Sequence, residues 1–252
     1  MGEPALRIEK LTKTYGKKAA VDELSLCIGH GVCFGFLGPN GAGKSTTLNI
    51  LSGVLPPSSG NIYFSGRRVT GPGGDVRRMI GVLPENFLLF DHLTLAEHCL
   101  MLGPVYGLSP AESIRRGDEL FDFLQLRDDH RRLAGEASYG MKKKLCLALA
   151  LLHNPDICLL DEPFEGLDPL ASENVQTLIR TLRRNGKTIF LCSHILSIVE
   201  DLVDEVGIVA NGRLVFHDAS LAGRQEKIDL KAIFTRYAFP AAVMKADLSW
   251  LA

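Results

Sequence analysis

Gly38 to Ser45 reads GPNGAGKS, which fits the spacing GxxxxGK[ST]. An apolar run, VCFGFL, precedes it and a helical pattern follows, the context that a phosphate-binding loop requires. Glycines let successive backbone N–H groups turn inward on phosphates, and the start of the following helix adds its positive dipole end. The candidate contacts are Gly38, Pro39, Asn40, Gly41, Ala42, Gly43, Lys44, Ser45 and Thr46. Lys44 is placed to reach the β- and γ-phosphates of a nucleotide, and Ser45 to hold Mg²⁺. Glycine-rich turns match this pattern by accident in about one chain in a hundred, before the strand and helix are counted. Nucleotide binding follows, but the loop alone leaves kinases, GTPases, helicases and transporter motors open.

A second group of residues narrows the chemistry. The run DICLLDEP is an apolar strand ending in Asp161 and Glu162. Where a strand leaves the sheet at its carboxyl end, both side chains can approach a nucleotide bound there. Asp161 would organise Mg²⁺ and Glu162 would polarise an attacking water. Phosphoryl transfer needs chiefly positioning and charge neutralisation, so one metal-holding acid beside one water-positioning acid suffices. An acidic turn after a buried strand is common by itself; the phosphate loop is what gives this one meaning.

These groups need elements to carry them. Strand candidates recur as LRIEKL, LSLCI, VCFGFLG, NIYF, IGVL, ICLLD, TIFLCS and EVGIVA. Helical patterns lie between them, and the central alternation predicts an α/β fold with a mostly parallel sheet. Residues 86–153 differ, reading as a helical insertion. TLAE (Thr94 to Glu97) and SPAE (Ser109 to Glu112) both carry the spacing of a helix-starting box, the second with Pro110 at the first helical position. HNP (His153 to Pro155) stops the last helix of the insertion.

Bulk properties exclude more than they select. The 252 residues carry a net charge of -1, which gives no electrostatic reason to expect nucleic acid. The six cysteines (Cys27, Cys33, Cys99, Cys146, Cys158, Cys192) show no metal-ligand spacing and read as reduced core thiols of a cytosolic protein. Leu145 to Leu152, the longest apolar run, is far short of the ~18 residues a membrane span needs. Any work at a membrane requires another chain to cross it.

The order of these motifs resembles the nucleotide-binding subunit of ATP-binding cassette (ABC) transporters, over residues 5 to about 220. That resemblance implies a P-loop NTPase (RecA-like) core, an N-terminal antiparallel β subdomain and an inserted α-helical subdomain. It places the ATPase domain at 1–225, with 86–153 inserted in it, and leaves 226–252 as a short C-terminal extension. It makes Tyr15 in KTYG the aromatic that stacks on adenine. Glu85 in LPEN occupies the Q-loop position, where the family usually has Gln, and would be a further Mg²⁺ ligand. Asp168 in EGLDP falls in the D-loop. His194 in LCSHIL, 32 residues after Glu162, stands where the family has its γ-phosphate histidine.

The resemblance also gives meaning to ASYGM, which stands 23 residues before Asp161, where the family has LSGGQ. Ser138, Tyr139, Gly140 and Met141 would then face the ATP of a partner subunit, so that two chains sandwich two nucleotides. Three lysines, Lys142 to Lys144, follow in the first turns of the helix, where the helix dipole disfavours cations. They read as a solvated basic turn. Within the family, the chain looks most like the branch serving separately encoded export permeases. The implied cofactors are ATP and Mg²⁺; the implied partners are an integral-membrane permease and a second cassette. The implied location is cytoplasmic, at the inner face of the cell membrane through that permease. A soluble cassette regulating another macromolecule is the alternative, as is a nucleotide-binding scaffold with little turnover, against which Asp161, Glu162 and His194 argue.

Overall fold

The computed structural model describes residues 2–69, 76–219, 221 and 229–238. Two sheets organise it. The first is antiparallel, with strands β1 (Leu6–Tyr15), β2 (Lys18–Ile28), β4 (Ser59–Phe64) and β5 (Arg67–Arg68) in the order β2-β1-β4-β5. The second holds β3 (Cys33–Leu37), β6 (Ile80–Leu83), β7 (Ile157–Asp161), β8 (Thr188–Ser193), β9 (Glu205–Ala210) and β10 (Arg213–Asp218) in the order β10-β9-β3-β8-β7-β6. All neighbours in it pair in parallel except the edge strand β10.

Every residue of β3, β7 and β8 is buried, as expected of central strands covered on both faces. Their period of two sorts the core. Phe34, Phe36, Ile157, Leu159 and Phe190 point to the face covered by the antiparallel sheet and helix α1 (Lys44–Leu51). Cys33, Leu37, Cys158, Leu160, Ile189 and Leu191 point to the other face. There they meet the helical layer: α3 (Leu95–Leu102), α4 (Pro110–Phe123), α5 (Tyr139–Leu151) and α6 (Pro169–Arg184). Short α2 (Val76–Met79) leads into β6, and α7 (Leu196–Glu200) follows β8.

Residues 86–153 hold α3, α4, α5 and three 3₁₀ turns, with one isolated bridge, Thr94 to Leu133. Thr94 and Glu97 form the reciprocal capping box that their spacing predicts. Ser109 caps α4 by accepting from the Glu112 N–H, whereas the Glu112 carboxylate turns instead to Arg115 and Arg116.

Three features depart from the sequence reading. β10 has no counterpart among the predicted strands; it forms a two-residue hairpin with β9 through Asn211 (φ 50°) and Gly212 (φ 80°). Cys27 is exposed while the other five thiols are buried, so it is not a core residue. Helix α8 (Leu230–Ala238) falls within 226–252 and packs on the main core through Leu230, with Tyr237 against Phe216. Residues 226–228 and 239–252 lie outside the described residues. Among the described residues no helix is long and apolar enough to cross a membrane.

Candidate nucleotide site

Strand register builds the site. Leu37 pairs with Ser193 and Asp161 with Cys192, so the carboxyl ends of β3, β7 and β8 finish at one edge of the sheet. The residues that follow them are Gly38, Glu162 and His194, which brings the phosphate loop, the acid pair and the histidine together. A cleft of about 510 Å³ opens there. Tyr15, Asn40, Gly41, Gly43, Lys44, Ser45, Thr46, Glu85, Glu162 and His194 line it, as do Lys18, Ala20 and Glu165, which the sequence reading missed. Lys18 and Ala20 flank recognised positions but carry no motif signal of their own, whereas Glu165 opens the EGLDP run, of which only Asp168 was singled out.

The loop is tied from below. Gly43 adopts φ 106°, and a Cβ there would collide with the Ala20 carbonyl. A Cβ at Gly38 would likewise strike the Val209 carbonyl of β9, so these two glycines serve close backbone approach. Ala42 is buried; its N–H donates to the Pro39 carbonyl (3.1 Å), and its carbonyl accepts from the Gly212 N–H of the β9–β10 turn (3.0 Å). The unpredicted hairpin therefore braces the loop. Lys44 is 7% exposed and donates to the carbonyls of Gly38 (2.7 Å) and Pro39 (3.3 Å).

Parity explains the acid pair. Asp161 continues the alternate set Ile157 and Leu159, so it points to the α1 face and meets Ser45, which hydrogen-bonds its carboxylate. Burial pushes the Asp161 carboxyl up to about 6, with Glu85 and Glu162 adding to the rise and Ser45 and Lys44 opposing it. Its Oδ1 is buried without a hydrogen-bond partner. A desolvated carboxylate with an unused oxygen, beside a hydroxyl and the Glu85 carboxylate, is an all-oxygen donor set that suits a hard divalent cation.

Because the folded value lies above the ordinary 3.8, charging Asp161 costs stability in the empty protein. That cost is absent below pH 3.8 and fully present above about 6. Asp161→Asn is therefore expected to raise the thermal midpoint of nucleotide-free protein at pH 7.5, by about 2–4 °C for each kcal/mol of relieved burial, while abolishing Mg²⁺-dependent turnover. A lowered midpoint in a thermal scan would contradict this reading of the site.

Glu162 turns the other way. Its backbone is left-handed (φ 45°), its N–H donates to the Cys192 carbonyl (2.9 Å), and its carboxylate meets His194 Nδ1 at 2.9 Å and the His194 N–H at 3.3 Å. It is 9% exposed at the cleft floor.

The other predicted residues lie outside the cleft. Asp168 caps α6 by accepting from the Ala171 N–H (2.8 Å). Ser138 caps α5 by accepting from the Met141 N–H (3.3 Å), and Met141 itself packs on the core. Gly140 lies near the Gly166 carbonyl. Tyr139, half exposed, packs its ring 5.1 Å from that of Phe87 at a tilt of 42°, and a Cβ at Gly166 would come within 2.5 Å of it. The basic turn is not all solvated. Lys142 is 4.0 Å from Asp91, but Lys143 is 1% exposed and its ammonium donates to the Glu162 carbonyl at 2.6 Å. Burial pulls the Lys143 ammonium below its usual range, against the opposing pull of Glu165, Glu162 and Asp161.

Residues 21–165, more than half of the chain, match the ABC transporter family. The chain belongs to the ABC transporter family. The linearmycin resistance ATP-binding protein of Bacillus subtilis is 34% identical over 83% of this chain and 68% of its own length. The bacitracin transport ATP-binding protein of Bacillus licheniformis is 38% identical over 83% and 68%. A Nod factor export ATP-binding protein of Paraburkholderia xenovorans is 37% identical over 88% and 73%. Among solved structures, a dimeric ATP-binding cassette in a post-hydrolysis state with ADP and Pi superposes with a TM-score of 0.79 at 27% identity, over 87% of this chain and all of that one. The ATP-binding subunit of an ABC transporter gives 0.79 at 32% identity, over 85% and 89%. The ABC cassette fold is thus the fold of this chain, with the antiparallel sheet and helical layer the family resemblance implies. It is an ATP-binding and ATP-hydrolysing cassette.

Proposed function

We propose that the chain is the motor subunit of an exporter, closing on ATP with a second cassette and driving a separate membrane permease. The observation that carries this is the arrangement around the cleft: Lys44, Ser45, Asp161, Glu162 and His194 at one sheet edge, while the Ser138 end of α5 lies outside it. In this reading one chain supplies a nucleotide cleft and a separate helix start, the two features that a pair of cassettes related by a two-fold axis would bring together. The relatives named for resistance, transport and export support the export reading.

In this reading the loop N–H groups from Gly38 to Thr46, with Lys44, bind the phosphates, and Tyr15, 55% exposed at the rim, stacks on the base. Ser45, Asp161 and Glu85 would hold Mg²⁺, which neutralises phosphate charge when bound. Glu162 takes the proton of an attacking water, and His194 fixes that carboxylate and meets the γ-phosphate. Ser138, Tyr139, Gly140 and Met141 face the partner's nucleotide, with Asp168 at the same interface. Residues 1–225 are the ATPase domain, 86–153 its docking lobe, and 226–252 an extension. Leu88 (91% exposed) and Phe90 (58%), just after Glu85, and Val105 (67%) in the lobe offer the permease an apolar surface. The protein accordingly sits at the cytoplasmic face of the membrane.

Glu85 separates metal binding from coupling, because Gln keeps the oxygen and adds an N–H₂ donor whereas Ala removes both. Glu85→Gln is expected to hydrolyse ATP near the wild-type rate, and Glu85→Ala about tenfold more slowly. Steady-state ATPase assays across Mg²⁺ concentration check this; wild-type rates in both variants would remove any role for the side chain.

The export reading itself is tested by purifying the tagged chain from detergent-solubilised membranes. A multispan protein is expected to accompany it, and recovery of soluble partners only would favour a regulatory cassette.

A further inference from the structure

Lys143 is a buried lysine that no motif above uses. It lies one turn into α5, flanked by Lys142, whose side chain is 28% exposed, and yet it is itself 1% exposed. Its ammonium reaches across to β7's exit and donates to the Glu162 carbonyl at 2.6 Å. Two rings cover it: Tyr139 at 5.3 Å and Phe87 at 5.9 Å from the centroids. A buried ammonium stays charged only with such partners, and a carbonyl plus aromatic faces supply them.

What it holds is a strained turn. Glu162 has φ 45°, a region that a non-glycine residue enters at a cost and keeps only where its surroundings over-determine it. The restraints can be named. The Glu162 N–H is fixed by Cys192, its carboxylate by His194, and its carbonyl accepts from Lys143 and from the Glu165 N–H at 3.2 Å. The Cys192 and His194 ties come from β8 and its exit, and the Glu165 tie is local. Lys143 is the charged tie from another element, and that element is α5, whose N-cap is Ser138.

We infer that Lys143 is a positioning residue for ATP hydrolysis, its ammonium clamping the Glu162 carbonyl so that the left-handed turn aims the carboxylate at the attacking water. This rests on the reading of Glu162 as the water-activating group. Lys143 is not among the residues lining the cleft, and its bond is to the Glu162 backbone, so it acts through Glu162. Its clamp also joins the hydrolytic acid of a subunit's own cleft to the helix that begins at Ser138, so displacement of that helix is felt at Glu162.

The test is steady-state ATPase kinetics with a parallel nucleotide titration and thermal melt on purified full-length protein. Lys143→Met keeps the length and apolar stem but removes the donor. It is expected to lower kcat by about tenfold to a hundredfold, with KM and nucleotide affinity unchanged. Lys143→Arg, which retains donors over the same carbonyl, should recover most of the rate, and Lys142→Met should hydrolyse as wild type. Should Lys143→Met fail to fold, Lys143→Gln, too short to reach the carbonyl, is read in the same way. A wild-type kcat in the folded variant overturns the inference, as does a rate lost only in proportion to nucleotide affinity. Glu162→Gln run alongside separates the two levels: if it keeps turnover, the reading of Glu162 falls and this inference with it. If it loses turnover while Lys143→Met does not, the clamp alone is wrong.

Discussion

Glu162→Gln is expected to bind ATP as tightly as wild type and to hydrolyse it about 10²–10⁴-fold more slowly, the range lost with a positioned general base. The geometry argues for both halves of that result. The Glu162 carboxylate sits at the cleft floor, 9% exposed, with one oxygen 2.9 Å from His194 Nδ1 and the other accepting the His194 N–H at 3.3 Å. Glutamine fills the same volume and keeps an oxygen for one of these contacts, so the turn and the cleft shape persist. It cannot take a proton from water. Phosphate affinity resides elsewhere, in Lys44 and the loop N–H groups, which the substitution leaves untouched. Single-turnover hydrolysis beside a fluorescent-nucleotide titration reads both quantities. Near-normal turnover would remove Glu162 from the mechanism.

The second large effect is at Lys44. Its ammonium, 7% exposed, donates to the carbonyls of Gly38 and Pro39 across the mouth of the loop. An arriving triphosphate offers oxygens that make stronger, charge-assisted bonds than a neutral carbonyl does. Losing about two such contacts implies a fall in nucleotide affinity of roughly a hundredfold or more. Lys44→Ala should still fold, because the helix start is held independently: the Thr47 N–H and hydroxyl both donate to the Gly43 carbonyl, at 2.9 and 2.8 Å. Titration with labelled ATP, alongside a thermal melt, checks the prediction. Unchanged affinity would mean that the phosphates do not lie in this loop.

Much of this site was legible because its signals are local. The runs of β3, β7 and β8 are near-continuously apolar, the mark of strands buried on both faces, and the candidate site residues lie at or directly after their ends. The capping box at Thr94 and the N-cap at Ser109 answer spacing signals within one turn of the backbone. β10 escaped for the opposite reason. Its residues alternate between exposed and half-buried, and Arg213, His217 and Asp218 leave only the three residues Leu214 to Phe216 apolar, although Asn211-Gly212 is the kind of pair that forms a two-residue hairpin. Lys143 was illegible in principle. Three adjacent lysines carry no mark of which one is buried; that depends on Glu162, 19 residues away in sequence, turning its carbonyl toward α5. Asp168 shows the same limit from another side, since the helix cap it makes follows from its sequence position whatever else it does at an interface.

The central claim is that each chain carries two halves of different sites, completed when ATP joins two copies. Light scattering on purified Glu162→Gln protein, with and without Mg²⁺ and ATP, tests it most directly. The account predicts the mass of one chain without nucleotide and of two chains at saturating ATP. Protein that stays at the mass of one chain while its cleft is filled with ATP would contradict it.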